Sequence, residues 1–202
     1  MGKASIRRKK TERGHSILEF ALVAIPSVLL MLAVVIIGIN LGRSVQAGQI
    51  CRDAASMYVR GVDFSQTGAQ QMLAHLGASL NLQTSGGSGV VILSKFQSVL
   101  VVPTCTSSCA YKNVLAQRLT IGNTGLTGGS TRFPTAGPVT PTSDGSIPNY
   151  ATDANAVVTS LPSALSLTAG EVSYVAEAYF QTSDTDLQVW ETSPGIYAQA
   201  FF

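Results

Sequence analysis

The side chains best suited to chemistry are few and scattered. They comprise Cys51, Cys105 and Cys109, His15 and His75, and eleven acidic residues along 202 positions. Zinc normally takes four protein ligands, or three at a catalytic site. Cys105-Thr106-Ser107-Ser108-Cys109 offers two, and no second histidine joins His75 beyond residue 15, so neither a metal nor another cofactor is expected. The same scarcity removes Ser/His/Asp and Cys/His nucleophile sets, and unclustered acids offer no paired-carboxylate site. The chain therefore does not read as an enzyme. The C-x-x-x-C spacing fits a small disulfide loop if the domain faces an oxidising compartment. Pairing of Cys105 with Cys109 is favoured over pairing of either with Cys51. An odd cysteine count leaves one thiol free or paired between chains. Cys51 falls on an apolar helix face and reads as a small buried residue.

One acid stands apart. Glu19 opens an apolar run, where a carboxylate is costly without a partner, although the positive end of a helix also favours an acid there. From Phe20 to Gly42, 23 residues carry no charge, enough helix to cross about 30 Å of hydrocarbon. Six of the thirteen basic residues precede this run, at Lys3, Arg7, Arg8, Lys9, Lys10 and Arg13. By the positive-inside rule they hold the N-terminus in the cytoplasm and send the rest across. Val45-Gln46-Ala47 looks like a signal-peptide cleavage site, but the apolar run is too long for that reading. Pro26 interrupts the helix hydrogen-bond ladder within the run. Gly38 and Gly42 form a G-x-x-x-G pair that would let another helix approach. From His15 onward seven basic residues face ten acidic ones, a net −3, so no nucleic-acid partner is expected.

The run Arg13-Gly14-His15-Ser16-Ile17-Leu18-Glu19-Phe20-Ala21-Leu22-Val23 resembles a prepilin leader junction. It is similar to that of the TadE/TadG-like pseudopilins of tight-adherence (Flp) type IV pilus systems. Val114–Asn123 and Gly170–Phe180 resemble strand segments of the same proteins. The resemblance implies a basic leader over 1–14, cut between Gly14 and His15 by a prepilin peptidase. It also implies a Glu19-Phe20 pair used in assembly with other pilin-like subunits and the pilus assembly proteins. A new amine at His15 would lie near Glu19 of the same or a neighbouring subunit, each charge offsetting the other's desolvation.

Helical spacing of Ala47, Cys51, Ala54 and Tyr58 predicts that the N-terminal helix spans 15–60, with its membrane segment at 20–42 and an amphipathic half beyond. Gly61 ends it. A second helix is expected over Gln66–Asn81 with a stripe of Met72, Leu73, Leu76 and Leu80, leaving His75 to solvent. Strands are expected at Val90–Val102, near Val114–Ile121, at Glu171–Gln181 and at Gly195–Phe202, with a short helix or turn over Val157–Leu167. Residues 122–148 hold 19 Gly, Pro, Ser or Thr among 27 positions, a composition that predicts a flexible loop. The sum is an α+β domain over 61–202, its antiparallel sheet packed on the long helix in pilin-like fashion.

Two functions compete. One is a processed pilin-like subunit of an adhesive pilus, in the inner membrane with a periplasmic domain or incorporated into the filament. The other is an unprocessed single-pass binding module or sensor with a periplasmic ligand-binding domain. Cleavage at Gly14 separates them.

Overall fold

The computed structural model describes residues 12–100, 111–159, 161–162, 165, 167–181 and 195–202, with side chains from Ile17 onward. The architecture is α+β: a long N-terminal helix and a four-stranded antiparallel sheet. The chain divides into two compact units at Gly42/Arg43. Helix α1 runs over Glu12–Val59, 48 residues with Pro26 inside. Its segment in the first unit is long and apolar enough to cross a membrane. Its end matches expectation: Gly61 takes φ +85°, a left-handed conformation that suits a residue without Cβ.

The second unit is built on strands β1 (Gly89–Leu100), β2 (Tyr111–Gly122), β3 (Val172–Gln181) and β4 (Gly195–Phe201), in the order β2-β1-β3-β4. Leu93 lies opposite Leu119 on one side and Ala176 on the other. A bulge follows Lys95: it faces Gln117 while Phe96 faces Leu115, so Ala116 is the extra residue. The Ala116 carbonyl accepts the Ile147 N–H at 2.9 Å.

One sheet face carries Val91, Leu93, Leu119, Ile121, Ala176, Ala178 and Phe180. It packs on Ala47, Ile50, Cys51, Ala54, Ala55 and Tyr58 of α1. Alanine and cysteine at these contacts bring helix and sheet close enough for the Cys51 thiol to donate to the Ala176 carbonyl at 3.2 Å. The second helix is shorter than expected. Helix α2 covers Thr67–Leu76, Gly77 caps it, and Ala78–Leu80 continues as a 3-10 turn ended by left-handed Asn81. Leu73 and Leu80 from the expected stripe are buried, but Met72 (56%) and Leu76 (45%) are exposed. A single short helix offers only one narrow line to the core. His75 is exposed as expected.

The opposite face corrects a second expectation. Past Gly122, the last residue of β2, residues 123–148 contain no strand or helix, yet they are pinned to the sheet. Phe133 and Ile147, each 3% exposed, pack with Phe96, Leu115 and Val175. Leu126 packs against Val90, Ile92 and Tyr179. The Phe96 and Phe133 rings meet edge to face at 5.8 Å. A few well-placed apolar residues fix a segment whose average composition argues for disorder. Residues 157 and 158, expected in a helix or turn, instead form extended bridges to Val114 and Thr135.

Candidate functional site

The residues singled out in the sequence lie mostly on the first segment of α1. Gly14 and His15 fall within its helical backbone. Past them, Ile17, Leu18, Phe20, Leu22 and Val23 are all exposed, as are most large apolar residues up to Leu41. Glu19 is exposed among them, and Phe20 is 75% exposed. A helix whose large side chains are apolar on every side is suited to lipid or to other helices. Glu19 and Pro26 are seven residues apart and so share a helix face. Pro26 leaves the Leu22 carbonyl without its helical N–H partner. Beside it, Ser27 Oγ donates to the Val23 carbonyl at 2.7 Å, the back-bond by which serine tolerates a helical, apolar setting. Gly38 and Gly42 share another face, and a methyl group at either would meet no atom within 4 Å. That surface is open to a second helix. Cys105 and Cys109 lie outside the described residues. Cys51 is a buried free thiol, held far from ionisation: burial, followed by the Glu177 charge, pushes its pKa up to about 12.

The structure adds a polar centre that the sequence reading missed. Glu177 is 1% exposed, on the β3 face turned away from α1. Its carboxylate accepts from the Arg132 backbone N–H at 2.7 Å, the Thr131 hydroxyl at 2.5 Å and the Tyr197 hydroxyl at 2.6 Å. Two of these donors belong to the segment covering the sheet and the third to β4. The Arg132 guanidinium lies 4.0 Å above the Tyr197 ring. Arg118 Nε donates to Ser94 Oγ at 3.1 Å, and its Nη2 to the Phe133 carbonyl at 2.8 Å. Burial depresses the Arg118 pKa while the Glu177 charge opposes that shift. Among the described residues, every buried side-chain polar atom has a partner. This centre therefore clamps the cover segment to the sheet.

Near the end of α1, a cleft of about 350 Å³ opens between the helix end and the sheet face that packs on α1. Tyr58, Asp63, Lys95, Gln117, Asp144 and Tyr174 are among the residues that line it. Sequence spacing gave no sign of it, because its residues come from five separate segments. Among the described residues, no three His, Cys, Asp or Glu side chains gather as metal ligands. Compared with known proteins, the chain matches no family model, no curated protein and no solved structure.

Proposed function

We propose that the chain is a membrane-anchored, pilin-like subunit that takes part in assembling an adhesive pilus of the tight-adherence type. The observation that carries this reading is one continuous helix. α1 includes the Gly14-His15 and Glu19-Phe20 junction, an unburied apolar stretch, and the half that packs on the antiparallel sheet. An apolar stretch with no covering core asks for lipid in the membrane and for neighbouring helices in a filament. Glu19 then has a use that a simple anchor lacks, as partner to the amine of a cleaved neighbour. The basic leader stays in the cytoplasm, where a prepilin peptidase cuts after Gly14, and the sheet domain lies outside the inner membrane.

Intact mass and N-terminal sequencing test this on protein extracted from membranes with and without the peptidase. Mature protein should begin at His15, and Gly14→Leu should accumulate as precursor. Full-length protein in both membranes would instead mark an unprocessed anchored receptor.

A further inference from the structure

Charges of opposite sign line the cleft at the end of α1 without closing on one another. Lys95, half-buried, places its ammonium 5.6 Å from the centre of the Tyr174 ring. Among the described residues it has no carboxylate or hydrogen-bond partner. Asp63 and Asp144 line the same cleft, and each is held by its own turn. Asp63 accepts from Ser65 Oγ at 2.6 Å and from Gln66 Nε2 at 3.2 Å. Asp144 accepts from the Thr142 hydroxyl and from Ser146 Oγ at 2.9 Å. These hydrogen bonds keep both carboxyls ionised by lowering their pKa, even though Asp63 also feels the charge of Asp144.

Hydrogen bonds and a ring contact tie the walls of the cleft together. Tyr58 donates to Gln117 Oε1 at 2.9 Å, and Gln117 Nε2 donates to the Asp144 carbonyl at 2.7 Å. The Tyr58 and Tyr174 rings meet edge to face at 5.1 Å. The bulge after Lys95 sets where the β2 edge, and so Gln117, stands against the cleft. Val62, Phe64 and Leu119 supply apolar wall.

We propose that this cleft binds a small zwitterion of the α-amino-acid type, its carboxylate on Lys95 and its ammonium on the Asp63/Asp144 side. A neutral ligand gains no charge pairing from any of the three. A phosphate gains one cation but meets two carboxylates, and a bare cation meets the Lys95 ammonium. A ligand carrying both signs answers both, with an apolar side chain against the wall. The volume lies at the lower end of the range for small-molecule sites, about 300–1,000 Å³. The site belongs to the second unit alone and stands or falls independently of the pilus reading.

The test is calorimetric titration of the full chain in detergent micelles with glycine, L-leucine and L-phenylalanine. The control ligands are isoamylamine, 4-methylpentanoate and calcium chloride. At least one amino acid should bind, and at least tenfold more tightly than the amine or the carboxylate alone. Lys95→Met and the double variant Asp63→Asn/Asp144→Asn should each weaken it at least tenfold, and Lys95→Arg should restore part of the loss. Circular dichroism and melting temperature report whether each variant is folded. If a variant unfolds, the single-charge ligands decide the matter with wild-type protein. Absence of binding by all three amino acids overturns the proposal. So does amine or calcium binding equal to theirs, or a folded Lys95→Met that binds like wild type.

Discussion

Glu177→Ala tests whether the buried carboxylate holds the cover segment to the sheet. The substitution strips the acceptor from the Thr131 hydroxyl, the Arg132 N–H and the Tyr197 hydroxyl. A buried donor left without a partner costs about 1–3 kcal/mol. The two hydroxyls can rotate toward other acceptors and fall at the low end, whereas the backbone N–H is fixed and falls at the high end. Removing a buried charge recovers part of the loss, which leaves a net cost of about 3–5 kcal/mol. For a unit of this size that is roughly 10–15 °C in Tm. Glu177→Gln retains one oxygen for Arg132 and Tyr197, and the Thr131 hydroxyl can turn to accept from the new amide, so about 1–2 kcal/mol is expected. The assay is thermal unfolding of the full chain in micelles, with limited proteolysis reporting cleavage within 122–148. The alanine variant should melt early and be cut first in that segment. A Glu177→Ala protein within about 1 kcal/mol of wild type, or a glutamine variant as unstable as the alanine one, would refute the clamp.

Three further outcomes are expected. Cys51, buried and with its pKa raised to about 12, should resist alkylation at pH 8 in the folded protein and react once denatured, as mass spectrometry will show. Hydrogen bonds from Ser65 to Asp63, Thr142 to Asp144 and Thr168 to Glu171 lower the pKa of each acid in the folded state. Their contribution to stability is therefore present above the ordinary carboxylate range and lost as pH falls through the lowered values. Tm should drop between pH 5 and pH 3, and less steeply in Asp63→Asn. Glu19→Ala should insert in the membrane as well as wild type, yet co-purify less with tagged pilin-like subunits and reduce piliation. Equal association would reduce Glu19 to an acid that favours a helix start.

Much of the frame was legible because local signals agreed. The uncharged run from Phe20 to Gly42, the small residues Ala47, Cys51 and Ala54 at helical spacing, and Gly61 together fixed α1 to within a residue of its observed end. Four strands were placed to within about three residues, because β-branched runs bounded by Gly and Pro carry their own punctuation. Helix α2 was overextended because Leu73, Leu76 and Leu80 keep helical spacing across Gly77, where the chain turns.

The second face of the sheet is where composition misled, and the correction lay in the strands themselves. Val90-Val91-Ile92-Leu93 is apolar at four successive positions, and all four are buried. A strand covered on one side alternates, whereas an unbroken apolar run needs cover on both. With α1 on one face, some other segment has to supply the second cover. Glu177 gives the same message in another form. It is flanked by Val175, Ala176, Ala178 and Tyr179, all buried, so its carboxylate needs donors from whatever lies over it. Residues 122–148 answer both demands with a handful of groups: Leu126, Phe133 and Ile147 for the apolar face, Thr131 and the Arg132 N–H for the carboxylate. Nineteen small or turn-forming residues among 27 obscure those anchors in any average. The demand for them was written in β1 and β3, not in the segment that meets it.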